Sequence, residues 1–142
     1  MLGFIDDGQT ITRFIAAKPR MHHAVRLTFR PVPTNDHNAE SAKAIRCLER
    51  GDKEGFDKEV FDIIGNRLIS WEFIEASGKP VPRVPGPTPE VIAKTVRPLQ
   101  NRIVDIVYAQ NDGGDEDPFD TEAESTSAKS KSEANLGNSK GD

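Results

Sequence analysis

The sequence predicts an α+β fold: a small, mostly antiparallel sheet of about three strands with three to four helices on one face, plus a disordered acidic C-terminal tail. Three observations point there. The segments Val25-Leu27-Phe29 and Ile69-Trp71-Phe73 alternate apolar with polar residues, the period of a strand with one buried face. Between them Phe56, Val60, Ile63 and Ile64 fall at i, i+4, i+7 and i+8, one face of a helix. After Asn111 the composition changes: 5 of the last 31 residues are apolar, against 45 of the 111 before them. A chain poor in apolar residues cannot offset its conformational entropy. The domain is therefore placed at 1–111 and the tail at 112–142.

The elements follow in order. Gly8 after Asp6-Asp7 marks a turn, and the β-branched and aromatic run Gln9–Ile15 reads as a first strand. Lys18-Pro19-Arg20 interrupts it. The second strand spans Ala24–Pro31, closed by Pro31 and Pro33, which cannot donate to a ladder. Thr34 or Asn35 can cap a helix whose apolar stripe is Ala42, Ile45 and Leu48, with Gly51 as its stop. Asp52 can cap the next helix, and Gly65-Asn66 is its expected end. Leu68–Ile74 is the third strand, with Ile69, Trp71 and Phe73 on one face and Ser70 and Glu72 on the other; Ala76-Ser77-Gly78-Lys79 forms its turn. Five prolines between Pro80 and Pro89 favour an extended connection. Thr88-Pro89-Glu90 combines a capping hydroxyl, a first-turn proline and an acid at the positive end of the helix dipole. A break is expected at Pro98. Leu99, Ile103, Ile106 and Val107 form the last apolar face.

The net charge of −4 joins two unlike parts. Residues 1–111 carry 16 basic and 14 acidic side chains, whereas residues 112–142 carry three lysines and nine acids. The acidity thus belongs to the tail and does not describe an acidic active site. No apolar run approaches the roughly 18–20 residues that span a bilayer. Met1-Leu2-Gly3-Phe4-Ile5-Asp6-Asp7 has no basic n-region, so no secretory signal is expected. Cys47 is the single cysteine, which excludes an internal disulfide and a Cys-rich zinc site.

Candidate chemistry is sparse. His22, His23 and His37 match no ligand spacing and read as exposed loop histidines. Cys47 has no neighbouring base and reads as a partly buried, inert thiol. Asp115-Glu116-Asp117 lacks the order of a calcium loop and reads as a solvated, self-repelling stretch or an interaction tail. Arg50-Gly51-Asp52 falls at a helix junction, where chance accounts for the adhesion tripeptide. Arg13, Arg20, Arg26 and Arg30 charge the strand faces, too weakly to predict nucleic-acid binding. A solvated face fits them, as does an electrostatic contact with the chain's own tail. Glycine-loop, nucleophile-elbow and zinc-protease motifs are missing. A binding or assembly role is the better expectation, with no cofactor.

One arrangement is familiar. A strand with a central tryptophan, Leu68–Phe73, leads into the turn Ser77-Gly78-Lys79-Pro80-Val81-Pro82. A helix then opens with Thr88-Pro89-Glu90-Val91-Ile92 and breaks near Pro98. This resembles small tail assembly chaperones and related tail-region proteins of tailed bacteriophages and prophages, over roughly residues 20–108. The chain departs from their pattern in its extra prolines between Val81 and Thr88 and in its acidic tail. The resemblance implies a non-enzymatic protein of the host cytoplasm that binds a tape-measure or tail-tube protein during assembly. A tape measure presents extended apolar helical surface, which aggregates unless covered. The surface is expected to be lined or supported by Ile69, Trp71 and Phe73 of the strand and by Leu99, Ile103, Ile106 and Val107 of the last helix. A structural virion subunit of the neck or tail, which would form a homo-oligomer, and a small nucleic-acid-binding regulator stay open as alternatives.

Overall fold

A computed structural model describes residues 8–119. Its elements run β1 (Ile11–Ile15), β2 (Ala24–Phe29), α1 (Thr34–Glu40), α2 (Ala42–Glu49), α3 (Lys53–Arg67), β3 (Leu68–Ile74), α4 (Pro89–Ile92) and α5 (Arg97–Ile103), followed by a π-helical turn at Val104–Tyr108. The strands form one antiparallel sheet in the order β1-β2-β3, with Arg13 opposite Leu27 and Leu27 opposite Trp71. The α+β expectation therefore holds. The expected disorder of the chain beyond Phe119 concerns residues outside those described.

One face of the sheet carries the core. Ile15, Val25, Leu27, Phe29 and Leu68 pack with Ala44, Val60, Ile64, Ile92, Leu99, Ile103, Ile106 and Val107. Each large side chain removed from water there contributes about 1.5–3 kcal/mol before entropy is counted. The opposite face has a smaller apolar cluster of Phe14, Ala24 and Ile74. It sits at the end of the sheet where β1 leaves and β2 enters.

Local chemistry sets most element ends. Gly51 takes φ +75° and donates to the Leu48 carbonyl, closing α2. Asp52 then accepts from the Gly55 amide at 2.9 Å and opens α3. Thr88 caps α4 by accepting from Val91 N at 3.3 Å. Pro98 does not merely break a helix. It occupies the first turn of α5, where its missing amide costs nothing.

Several expectations need correction. The stripe Ala42, Ile45 and Leu48 is not the packed face of α2. Ser41, Ala44 and Cys47 are buried, whereas Ile45 and Leu48 are exposed. Small residues win that position because α3 comes close: a Cβ added at Gly55 would lie 3.0 Å from Cys47 Sγ. Gly65-Asn66 does not end α3, which continues to Arg67 and passes straight into β3. Gly65 instead admits the Pro89 ring, whose Cδ and Cγ would lie 2.9 Å from a Cβ there. Arg13 does not lie on a wet face; it is paired opposite core-facing Leu27 and is partly buried. Burial pushes its guanidinium below the usual arginine value.

Residues 112–119, assigned by composition to the tail, lie against the sheet. Asp115 N donates to the Phe14 carbonyl, and Phe119 meets the Phe14 ring edge-on at 6.3 Å. Three arginine–carboxylate contacts explain why acidic sequence packs here: Arg102 with Asp112 and with Asp115, and Arg26 with Asp117. The charge that suggested a self-repelling tail is matched by Arg26 of the sheet and Arg102 of α5, so the expected electrostatic contact between a strand arginine and the chain's own tail is present at Arg26–Asp117.

Candidate functional site

The seven residues expected to line or support a partner surface divide into two groups. Leu99, Ile103, Ile106 and Val107 are buried in the core, between 0% and 2% exposed. They can hold the sheet in place but cannot touch a partner. On β3, Trp71 and Phe73 are half-buried on the core face, ring to ring at 5.1 Å. Ile69 does not share their face. The ladder pairs Phe29 with Leu68 but Thr28 with Ser70, so β3 holds one extra residue at Ile69, which is 42% exposed.

Trp71 also fixes the proline segment. Its indole Nε1 donates to the Pro85 carbonyl at 2.8 Å. Val81 N donates to the Phe73 carbonyl and Glu75 N to the Lys79 carbonyl, so the chain after Gly78 returns along the outer edge of β3. Gly78 takes φ +93° in that turn. Strand, turn, proline segment and α4 thus form one connected unit, seated on α3 through Pro89 and Gly65.

A second feature was not foreseen. Arg67, 3% exposed, lies among Glu40, His37 and the end of the π-helical turn. Its guanidinium donates to Glu40 Oε1 at 2.8 Å, to the carbonyls of Val107 at 2.9 Å and Tyr108 at 3.0 Å, and to His37 Nδ1 at 3.3 Å. Because arginine can only donate, His37 Nδ1 accepts and its proton sits on Nε2. Burial first, then the charge of Arg67, lowers the His37 pKa, while Glu40 raises it. The Tyr108 hydroxyl donates to Ser41 Oγ at 2.8 Å, and Gln110 exchanges two bonds with the backbone of Val32. These contacts tie α1 to the π-helical turn. The sequence carries a trace of this: Arg67 falls on the helix face of Ile63 and Ile64, an unusual place for a cation unless it is paired.

The third feature is an open cleft of about 670 Å³ at the end of the sheet, lined by Phe14, Met21, Ala24, Ile74, Ala76 and Phe119 among others. Met21 is 43% and Phe119 40% exposed. His22 and His23 also line it, while His37 lies in the Arg67 cluster, so the three histidines do not converge. Among the described residues no three His, Cys, Asp or Glu side chains are grouped to hold a metal ion. Arg50-Gly51-Asp52 is spent on the α2–α3 junction, with Asp52 as cap. Cys47 is buried, with Arg50 donating to its sulfur at 3.5 Å. No helix among the described residues is long and apolar enough to cross a membrane.

The acidic residues of 112–119 are tightly engaged. Arg102 donates Nε to Asp112 and Nη1 to Asp115, and these bonds hold both carboxyls below their ordinary pKa. The Gly114 amide adds to the effect at Asp112 and the Ala16 amide at Asp115. The same carboxylates raise the Arg102 pKa. Phe119, the only aromatic residue after Tyr108, was the one sign in the sequence that this acidic stretch seats on something apolar.

Comparison with family models, with curated proteins and with solved structures found no match to this chain.

Proposed function

We propose that this chain is a non-catalytic assembly chaperone of the phage-tail type, acting in the host cytoplasm on a tape-measure or tail-tube protein. The observation that supports the reading most is the tie from Trp71 Nε1 to the Pro85 carbonyl. It makes the resembling stretch, from the tryptophan strand through the Gly78 turn to the Thr88-capped helix, a single structural piece. The residues that carry the resemblance each have work to do in that piece: Gly78 turns the chain, Thr88 caps and Pro89 packs into Gly65. The extra prolines that set this chain apart are accommodated by the same bond. Ile45 and Leu48, three residues apart on α2, leave an exposed apolar strip for a client to meet.

The test is co-expression with a tape-measure protein that aggregates alone. The expected result is a soluble complex of the two, with the chain absent from purified tail particles. Its presence as a stoichiometric particle component would identify a structural subunit instead. Failure to solubilise or retain any tail protein would remove the assembly reading altogether.

A further inference from the structure

The way residues 112–119 sit on the sheet has the form of a bound peptide. The segment makes one bridge to β1, where Asp115 N donates to the Phe14 carbonyl and Asp115 Oδ2 accepts from Ala16 N at 2.8 Å, then crosses the sheet face past Arg26 of β2 and turns at Pro118-Phe119. Three side chains then anchor it on the fold. Asp115 meets Arg102, Asp117 meets Arg26 at 2.7 Å, and Phe119 lies on Phe14 and over Gly78. Glu116 and Pro118, between them, are exposed along the rim of the cleft that Phe119 lines. One main-chain bond fixes the register of the segment, and arginine–carboxylate pairs with an aromatic anchor fix the rest, the recognition of an acidic peptide by an arginine cluster.

The fit is close at two glycines. A Cβ at Gly114 would lie 2.7 Å from the Phe14 carbonyl oxygen, and one at Gly78 would lie 3.1 Å from the Phe119 ring. Yet the hold is weak in kind. Apart from Asp117, 10% exposed, the paired carboxylates are a quarter or more open to water, and Phe119 remains 40% exposed. Partly solvated ion pairs are screened by salt and contribute little each. What keeps such a ligand in place is its tether. Only residues 109–111 separate it from the π-helical turn that ends at Tyr108, and a short linker supplies an effective concentration of about millimolar.

We propose that Asp112–Phe119 is a cis-bound occupant of a peptide groove, and that the groove's other occupant is an acidic segment of a partner protein ending in an aromatic residue. Arg102 and Arg26 are the receptor for its carboxylates, and Phe14, Ala24 and Ile74 for its ring. The strap masks this apolar triad until a better-matched segment displaces it. The inference stands whether or not the partner is a tail protein.

The experiment uses the full chain and a fluorescein-labelled peptide with the sequence of residues 111–119. A double variant, Asp117→Asn with Phe119→Ser, loosens the strap and leaves the receptor residues intact. The peptide should bind this variant about tenfold or more tightly than the wild type, because the tethered competitor is gone. Adding Arg26→Gln should abolish the gain. Equal affinity for both chains, or no binding to either, overturns the proposal. Hydrogen exchange on the wild type provides a readout free of substitutions. Raising salt from about 0.05 to about 0.5 M should speed exchange of the Asp115 and Ala16 amides while leaving Leu27 unchanged. Protection of Asp115 equal to that of Leu27 at high salt would make the strap a permanent part of the fold and overturn the proposal.

Discussion

Arg67, in the last turn of α3, donates from Nη1 to the Val107 carbonyl at 2.9 Å. A second bond, to the Tyr108 carbonyl, is 3.0 Å long. The π-helical turn therefore ends on a buried cation that satisfies carbonyls left without helical partners. Replacing Arg67 by Met leaves these carbonyls unpaired and Glu40 without its counter-ion. The expected loss is about 3 kcal/mol by urea unfolding, within the range for breaking a buried pair, moderated because Glu40 is partly exposed. Arg67→Lys should recover less than half, since a single ammonium cannot reach four acceptors in a planar fork.

The same cluster makes stability depend on pH. His37 is held neutral, with its pKa below the ordinary 6.5, first by burial and then by Arg67. A histidine whose folded pKa is lowered binds its proton more readily in the unfolded chain. Its contribution is therefore complete above pH 6.5 and declines as pH falls from there through the folded value. The wild type should lose stability on titration from pH 7.5 to 5, measured by thermal unfolding, and His37→Gln should flatten that slope. An unchanged slope in the variant would assign the dependence to other groups.

What could be read from the chain depended on whether one element or several decided the outcome. The face Phe56–Ile64 and the caps Asp52 and Thr88 are local, and the structure keeps them. The face of α2 was misjudged because the approach of α3 at Gly55, not the spacing of Ile45 and Leu48, selects Ala44 and Cys47. Period two placed Ile69 with Trp71, but one extra residue in β3 removes it, and that irregularity depends on pairing with β2. For the acidic segment, the contact expected between a strand arginine and the chain's own tail is present at Arg26–Asp117, whereas its pairing with Arg102 was not legible. Composition counts charge without its partners, and Arg26 and Arg102 lie 91 and 10 residues from the carboxylates they meet. Arg67 was missed for the same reason, since Glu40 is 27 residues away.

Gly65→Ala tests a close approach. In an exposed helix the change should stabilise by up to about 1 kcal/mol. Here the new methyl would meet Pro89 Cδ and Cγ at 2.9 Å, and overpacking of this kind costs about 1–3 kcal/mol. The net expectation is a loss of about 1 kcal/mol by denaturant unfolding, the difference between these two effects. In a Pro89→Ala background the clash is relieved and the sign should reverse. A double-mutant cycle with no coupling between the two positions would show that α3 and α4 do not pack through this contact.

Trp71 is the chain's single tryptophan, so its fluorescence reports directly on the proline segment. The bond from its Nε1 to the Pro85 carbonyl is the indole's only hydrogen bond to give, and phenylalanine keeps the ring contact with Phe73 while removing the donor. Trp71→Phe should cost about 1 kcal/mol globally, the net value of one partly solvated hydrogen bond. The larger effect is local. Arg83, exposed and held at φ +62°, lies in the loop that this bond secures. Once the loop is released, the peptide bond after Arg83 should be cut by trypsin several-fold faster than in the wild type. Cleavage at Arg83 at an unchanged rate would show that Val81 and Pro89 hold the segment at its two ends and that the indole adds packing alone.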